Sequence, residues 1–237
     1  MNILCLDIGN TSITFCEVTN NITSLKRLSK SKNAINFFKD YNTNNIKEVI
    51  ISSVVPNLTN QIVKNFQLKK IPVFEISYRN CGINLLVKNP SEVGNDRICN
   101  IAAANKIYGG KSIVIDFGTA TTYDITDEKG SFIGGAIAPG IDVSADNLIS
   151  KASLLKETVY QFPPSIIGDD TTSNIQSGVM FSGLYAVKGM INKIKEEIKF
   201  ENPNIILTGG FGELISVGLN IDHIYNEYLT LEGMIDI

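Results

Sequence analysis

Two stretches of the chain end a short apolar run in the same way. ILCLDIGNTS (3–12) and SIVIDFGTAT (112–121) each pass from uninterrupted apolar residues to Asp, then to Gly and a small polar turn. Runs this short, bounded by turn residues, predict buried strands. A shift of 109 positions lays Asp7 on Asp116 and Gly9 on Gly118, and pairs Leu4, Cys5 and Leu6 with Ile113, Val114 and Ile115. Each copy then predicts a second strand (13–18 and 122–126), a polar turn (20–21 and 127–130) and a third strand. The strand meander opening each half argues for two related domains.

The remaining pattern alternates between strands and helices. EVIISS (48–53) and residues 71–76 predict strands, separated by a helix over 57–67 capped by Asn57. Asn89-Pro90-Ser91-Glu92 has the form of a helix start, and that helix would run to about Tyr108, where Gly109-Gly110 stops it. Residues 172–199 predict a long helix interrupted only by small residues, and 204–208 a strand leading into Gly209-Gly210. Alternation after each meander predicts α/β domains, each a mixed sheet with helices on its faces. The expected domains are 1–107 and 108–237.

Composition narrows the function classes. The net charge of -3 gives no general attraction to nucleic acid or an anionic membrane. No apolar stretch nears the roughly 20 residues of a membrane span, and the start MNILCLDIG lacks the features of a secretion leader, so a cytoplasmic location is expected. Cysteines at 5, 16, 81 and 99 and the single His223 fit no usual zinc spacing and argue against a disulfide framework or a histidine-based triad.

Candidate chemistry therefore rests on the Asp-Gly turns. A carboxylate closing a buried strand is costly unless it is paired, hydrated or bound to a cation. The Gly, Asn, Thr and Ser after it supply a tight turn with exposed N–H groups. Such a turn can hold phosphate oxygens while the Asp orients Mg2+ through its water shell. A single copy reads more readily as an ordinary hairpin turn, because Asp, Asn and Gly dominate turns. Two copies, with a third glycine turn at ILTGG (206–210), favour phosphate binding.

Facing "apolar-Asp-x-Gly" hairpins with a later LTGG loop resemble the actin / sugar kinase / heat-shock chaperone superfamily. More narrowly, DIGNTS (7–12), SSVVP (52–56), NPSEVGNDR (89–97), DFGTATT (116–122), GGAIAPG (134–140), TTSNIQSG (171–178) and LTGG (207–210) resemble type III pantothenate kinase. The resemblance implies a duplicated ribonuclease H-like, actin-like ATPase α/β fold with a nucleotide cleft between its domains. It also implies ATP-dependent phosphorylation of pantothenate, the first step of coenzyme A biosynthesis, in a homodimer. By the same resemblance, the hairpin Asp7, Ile8, Gly9, Asn10, Thr11, Ser12, Ile13 and Thr14 binds ATP, with Mg2+, and Thr119 also contacts ATP. Asp116 holds a monovalent cation, K+ or NH4+. Gly94, Asn95, Asp96 and Arg97 line the pantothenate site, Asp96 is its proton acceptor, and Thr171 contacts the substrate. Val87, also in that site, departs from the aromatic residue usual at its position, with Tyr78 as a compensating candidate. A regulatory relative without catalysis, and another small-molecule alcohol kinase of the superfamily, are the alternative readings.

Overall fold

The computed structural model describes residues 2–19, 26–29, 33–151 and 159–237. They form two compact units: Met1–Gly109 with Thr126–Gly134 and Tyr228–Ile237, and Gly110–Ile125 with Gly135–Glu227.

The first unit is built on strands β1 (Asn2–Ile8), β2 (Ser12–Val18), β3 (Lys26–Ser29), β4 (Ile46–Ser53) and β5 (Val73–Glu75), in the order β3-β2-β1-β4-β5. β1 and β2 are the antiparallel arms of the first hairpin, and β1 runs parallel to β4. Helices α1 (Asn33–Asp40) and α2 (Pro56–Leu68) cover one face, where Phe15, Phe38 and Phe66 join Leu4, Leu6, Val49 and Ile51 in one apolar cluster. The other face packs Cys5, Cys16 and Ile50 with α3 (Asn95–Ala103) and the chain's last helix. All four cysteines are buried and free, as small hydrophobes are in a core.

The second unit repeats the plan. Strands β6 (Ser112–Phe117), β7 (Ala120–Thr126), β8 (Phe132–Pro139), β9 (Asn204–Gly209) and β10 (Ile224–Tyr225) pair in the order β10-β9-β6-β7-β8, the first sheet's order read from its other end. Helices α4 (Ile141–Lys151), α5 (Thr171–Ile198) and α6 (Gly212–Leu219) belong to this unit. The final helix α7 (Leu229–Asp236) belongs to the first unit, packed on α3. Gly233 makes that packing possible, because a Cβ there would collide with the Cys99 carbonyl. Two sheets of one strand order, each opened by a hairpin, are the expected duplicated ribonuclease H-like fold.

Several local expectations are corrected. The N-P-S-E segment does not open the long helix: Pro90–Glu92 is a single 3-10 turn, and α3 begins at Asn95 after an extended Gly94. The Asn89 side chain donates to Glu92 (Nδ2 to Oε1, 2.9 Å) and makes no capping bond. α2 starts at Pro56 with no side-chain cap, so Asn57 lies inside its first turn. After Ala103 the helix continues as a π-helical stretch, Ala104–Tyr108, ended by Gly109 at φ 68°. The polar turn expected at 20–21 lies outside the described residues.

Candidate functional site

In the first unit Asp7 sits one residue before the end of β1, opposite Thr14 on β2 and Ser52 on β4. Ser52 is fully buried, and its hydroxyl donates to Asp7 Oδ1 at 2.9 Å. The turn beyond is closed by the Gly9 N–H donating to the Ser12 carbonyl at 3.0 Å, leaving Asn10 and Thr11 exposed at its tip. Ile8 and Ile13 are 0 % exposed. Their side chains fill the core, so only their main chain can meet a ligand. The hairpin thus presents one carboxylate, two exposed polar side chains and turn amides, the donor set of a phosphate cradle.

The Gly94-Asn95-Asp96-Arg97 segment forms the first turn of α3. Asn95 Nδ2 donates to the Ser53 carbonyl at 3.0 Å, tying this helix start to the end of β4. The Arg97 N–H donates to Asp96 Oδ1 at 2.8 Å, which turns the carboxylate back over its own helix start. Gly94 leaves room for that conformation, since a Cβ there would stand 2.5 Å from Asp96 Oδ1. Burial raises the Asp96 carboxyl above the usual carboxylate range, and the Arg97 N–H and guanidinium only partly oppose this. A carboxylate tuned upward is suited to accepting a proton from a hydroxyl.

Cys99 connects these two regions. Burial pushes its thiol well up; the negative charges of Asp7 and Asp96 act in the same direction, and a hydrogen bond with Ser52 opposes them. The first unit therefore gathers the phosphate hairpin and the G-N-D-R turn around one buried thiol. Sequence reasoning placed SSVVP among the motifs without giving Ser52 a role. Its signal was a polar residue inside the apolar run EVIISS. Val87 is half-buried and packs with Tyr78, Val93 and Ile98 in the apolar cluster beneath α3.

In the second unit Asp116 lies on β6 opposite Thr208 of β9, the position that Asp7 has opposite Ser52. Gly209, at φ 85°, approaches so closely that a Cβ would collide with Asp116 Oδ1. The LTGG turn is therefore shaped around this carboxylate. Thr119 is exposed at the hairpin tip, its carbonyl accepting from the Gly140 N–H at 3.1 Å. Thr171 opens α5 just after the Asp170 cap. It lines an apolar cavity of about 710 Å³ with Phe117, Tyr123, Ile141 and Ile175. Burial pushes the Tyr123 phenol up to about 12.

Among the described residues, no group of three or more His, Cys, Asp or Glu side chains is placed to hold a metal. The carboxylates Asp7 and Asp116 still fit cations whose remaining ligands are phosphate oxygens, water or main-chain carbonyls.

The sequence profile of the type III pantothenate kinase family matches residues 3–193. The chain belongs to that family. It is 40% identical to the type III pantothenate kinase of Persephonella marina, over 99% of this chain and 97% of that one. It is 37% identical to the type III pantothenate kinase of Agathobacter rectalis, over 98% and 95% of the two chains. Among solved structures, a protein described as a Baf family transcriptional activator from Campylobacter jejuni superposes with a TM-score of 0.65. At 21% identity over 98% of this chain and 95% of that one, it shows the fold alone. The G-N-D-R turn, the two Asp-Gly hairpins and Thr171 all fall within the stretch matched to the family.

Proposed function

We infer that the protein is an ATP-dependent kinase that phosphorylates the primary hydroxyl of pantothenate to give 4'-phosphopantothenate, the first step of coenzyme A biosynthesis. The observation that carries this reading is the pairing, within one unit, of a phosphate-type hairpin at Asp7 with a half-buried Asp96 whose carboxyl is raised. Asp96 accepts the hydroxyl proton as the oxygen attacks the γ-phosphorus in line. In a loose transition state much of its effect is to orient that hydroxyl. Arg97, the next residue, offers the pantothenate carboxylate a planar pair of donors. Gly94, Asn95 and Val87 shape the same site.

The backbone of residues 7–14 and the hydroxyl of Thr119 take the ATP phosphates. Asp7 would hold Mg2+, and Asp116 would hold a monovalent cation, K+ or NH4+. These cations, when bound, offset the charge that accumulates where triphosphate and carboxylates meet. Ser52 holds the Asp7 carboxylate in place, so little rearrangement is needed on binding.

The protein acts as a homodimer in the cytoplasm, with Thr171 contributing to the pantothenate site. Support for self-association comes from the second unit, where exposed Leu148 and the exposed small residues Gly178, Ser182 and Ala186 of α5 line the apolar cavity together with Thr171. An exposed apolar surface of this kind marks an interaction site. None of the described helices is long and apolar enough to cross a membrane.

The test is to follow ADP release from protein, ATP, Mg2+ and K+, with and without pantothenate. Turnover that depends on pantothenate and stops in Asp96→Asn supports the reading. ADP release indifferent to pantothenate but dependent on another alcohol would assign the scaffold to a different acceptor. Light scattering at micromolar concentration tests the dimer.

A further inference from the structure

The hairpin between β7 and β8 reaches the helix that carries Asp96, a placement the phosphate chemistry does not explain. Residues 126–134 belong to the first unit although most of β7 and β8 belongs to the second. The tip is a tight, pre-organised turn: Asp127 Oδ1 accepts from the Lys129 and Ser131 N–H groups at 2.9 and 2.8 Å, and the Asp127 N–H donates to the Ser131 carbonyl at 3.0 Å. Asn105, in the π-helical extension of α3, donates to the Gly130 carbonyl at 2.6 Å. Phe132 follows at once. Its N–H donates to the Asn84 carbonyl at 2.9 Å, and its carbonyl accepts from the Leu86 N–H at 2.8 Å, a parallel bridge around Leu85. Main-chain bonds thus fix the Phe132 ring, which is 2 % exposed in the apolar cluster under α3. The Arg97 guanidinium lies over it, 5.4 Å from the ring centroid.

We propose that Phe132 is a positioning residue that sets the acceptor's charge: its ring holds the Arg97 guanidinium where an anionic acceptor's carboxylate binds, and so favours a carboxylate over an uncharged acceptor. The physical basis is the attraction of a cation to the face of an aromatic ring, which strengthens as the pair is shielded from water. A planar guanidinium resting on a ring presents its donors along its edge, in the geometry that a carboxylate matches. An aliphatic side chain in the same place would fill the volume but offer the guanidinium no ring face. The inference rests on the pantothenate reading and adds a residue that lies outside the G-N-D-R turn.

The experiment compares pantothenate with pantothenol, in which the carboxylate is replaced by a neutral alcohol, as acceptors for wild type, Phe132→Leu and Phe132→Tyr. Melting temperatures are recorded beside the kinetics. Phe132→Leu is expected to raise KM for pantothenate about five- to tenfold, with KM for ATP and KM for pantothenol changed less than about twofold. Phe132→Tyr, which keeps the ring face, restores the wild-type KM. In an Arg97→Gln background the Phe132→Leu change adds nothing further for pantothenate, because the group it positions is gone. Equal losses for both acceptors, or the same KM increase with Arg97 already removed, would make Phe132 a packing residue only and overturn the proposal. If wild type turns over pantothenate and Phe132→Leu is indistinguishable from it, the proposal fails while the kinase reading stands. If wild type does not use pantothenate at all, both fall.

Discussion

Asp7 and Asp116 occupy the same position in two sheets of the same strand order, yet their surroundings hold them differently. In the first unit the neighbouring parallel strand offers Ser52, a buried hydroxyl that donates to the carboxylate. In the second it offers Thr208 and then Gly209, whose lack of a side chain lets the backbone close on the carboxylate. β4 leaves its sheet through Ser53 to a proline-initiated helix, while β9 leaves through a left-handed glycine. Duplication kept the place of the charge and changed what contacts it. A hydroxyl donor suits a carboxylate that must stay aimed at a hydrated cation. A close-packed backbone fits the proposed role of Asp116 in holding a monovalent cation.

The largest expected effect comes from a residue outside the repeat, and it shows what the two carboxylates do not do. Asp96→Asn should lower kcat by about 10²–10⁴, the usual range for losing a positioned acid or base, with ATP affinity unchanged. Single-turnover kinetics and nucleotide binding measure the two separately. If ATP binding fell in parallel, Asp96 would belong with the hairpin rather than with the acceptor.

Gly209→Ala should come next, and breaks the comparison on the second unit's side. Left-handed strain alone costs about 1–2 kcal/mol, and the collision with Asp116 adds to it. The expected result is a lower melting temperature together with loss of K+ stimulation. Ser53 stands at the matching register position in the first unit, opposite Ile8 as Gly209 is opposite Phe117. It accepts hydrogen bonds from the Val55 N–H and the Thr59 hydroxyl, in the turn that leads into α2. Ser53→Ala should cost only about 1 kcal/mol and leave cation dependence untouched. Equal cation effects in the two variants would mean that the two units hold their carboxylates alike.

Ser52→Ala sharpens the first unit's side. A hydrogen bond to a charged group contributes about 1.5–3 kcal/mol, and water can replace part of it because Asp7 is half-buried. KM for MgATP should rise about tenfold, while KM for pantothenate holds. A variant with normal MgATP kinetics would leave Ser52 a role in core packing alone.

How much of this was legible in the chain follows from which physics the residues carry. The hairpins were legible because strand period, Asp and Gly coincide twice, and both sheets formed where those signals fell. The start of α3 was misplaced because Asn89-Pro90-Ser91-Glu92 satisfies helix-start chemistry locally, yet forms only a 3-10 turn before Gly94 resets the chain. Ser52 carried no local signal of its partner, since its hydrogen bond to Asp7 spans 45 positions. α7 was unreadable for a similar reason. Its glycine is needed by the carbonyl of Cys99 on a distant helix, and no short-range pattern encodes that contact.

The smallest expected effect is a displacement along the pH axis, and it falls on Asp96. Burial raises its carboxyl, so the folded protein holds this proton more tightly than the unfolded chain, whose aspartate titrates near 4. Two consequences follow with definite sign. In the proposed role Asp96 accepts a proton only when ionised, so kcat should fall on acidification through the raised folded-state pKa, at a higher pH than an ordinary aspartate would give. Arg97→Gln removes a cation that favours the ionised form, and moves that limb further upward. For stability the direction is opposite. The contribution of this group is complete below the unfolded value and is lost as pH rises through the folded one, so ionised Asp96 is a cost at neutral pH. The melting temperature of Asp96→Asn should therefore gain on wild type as pH increases from 4 toward 7. Thermal melts across that range decide it. A gap that stays constant with pH would mean that Asp96 titrates as an ordinary surface carboxylate and that its catalytic tuning comes from substrate binding alone.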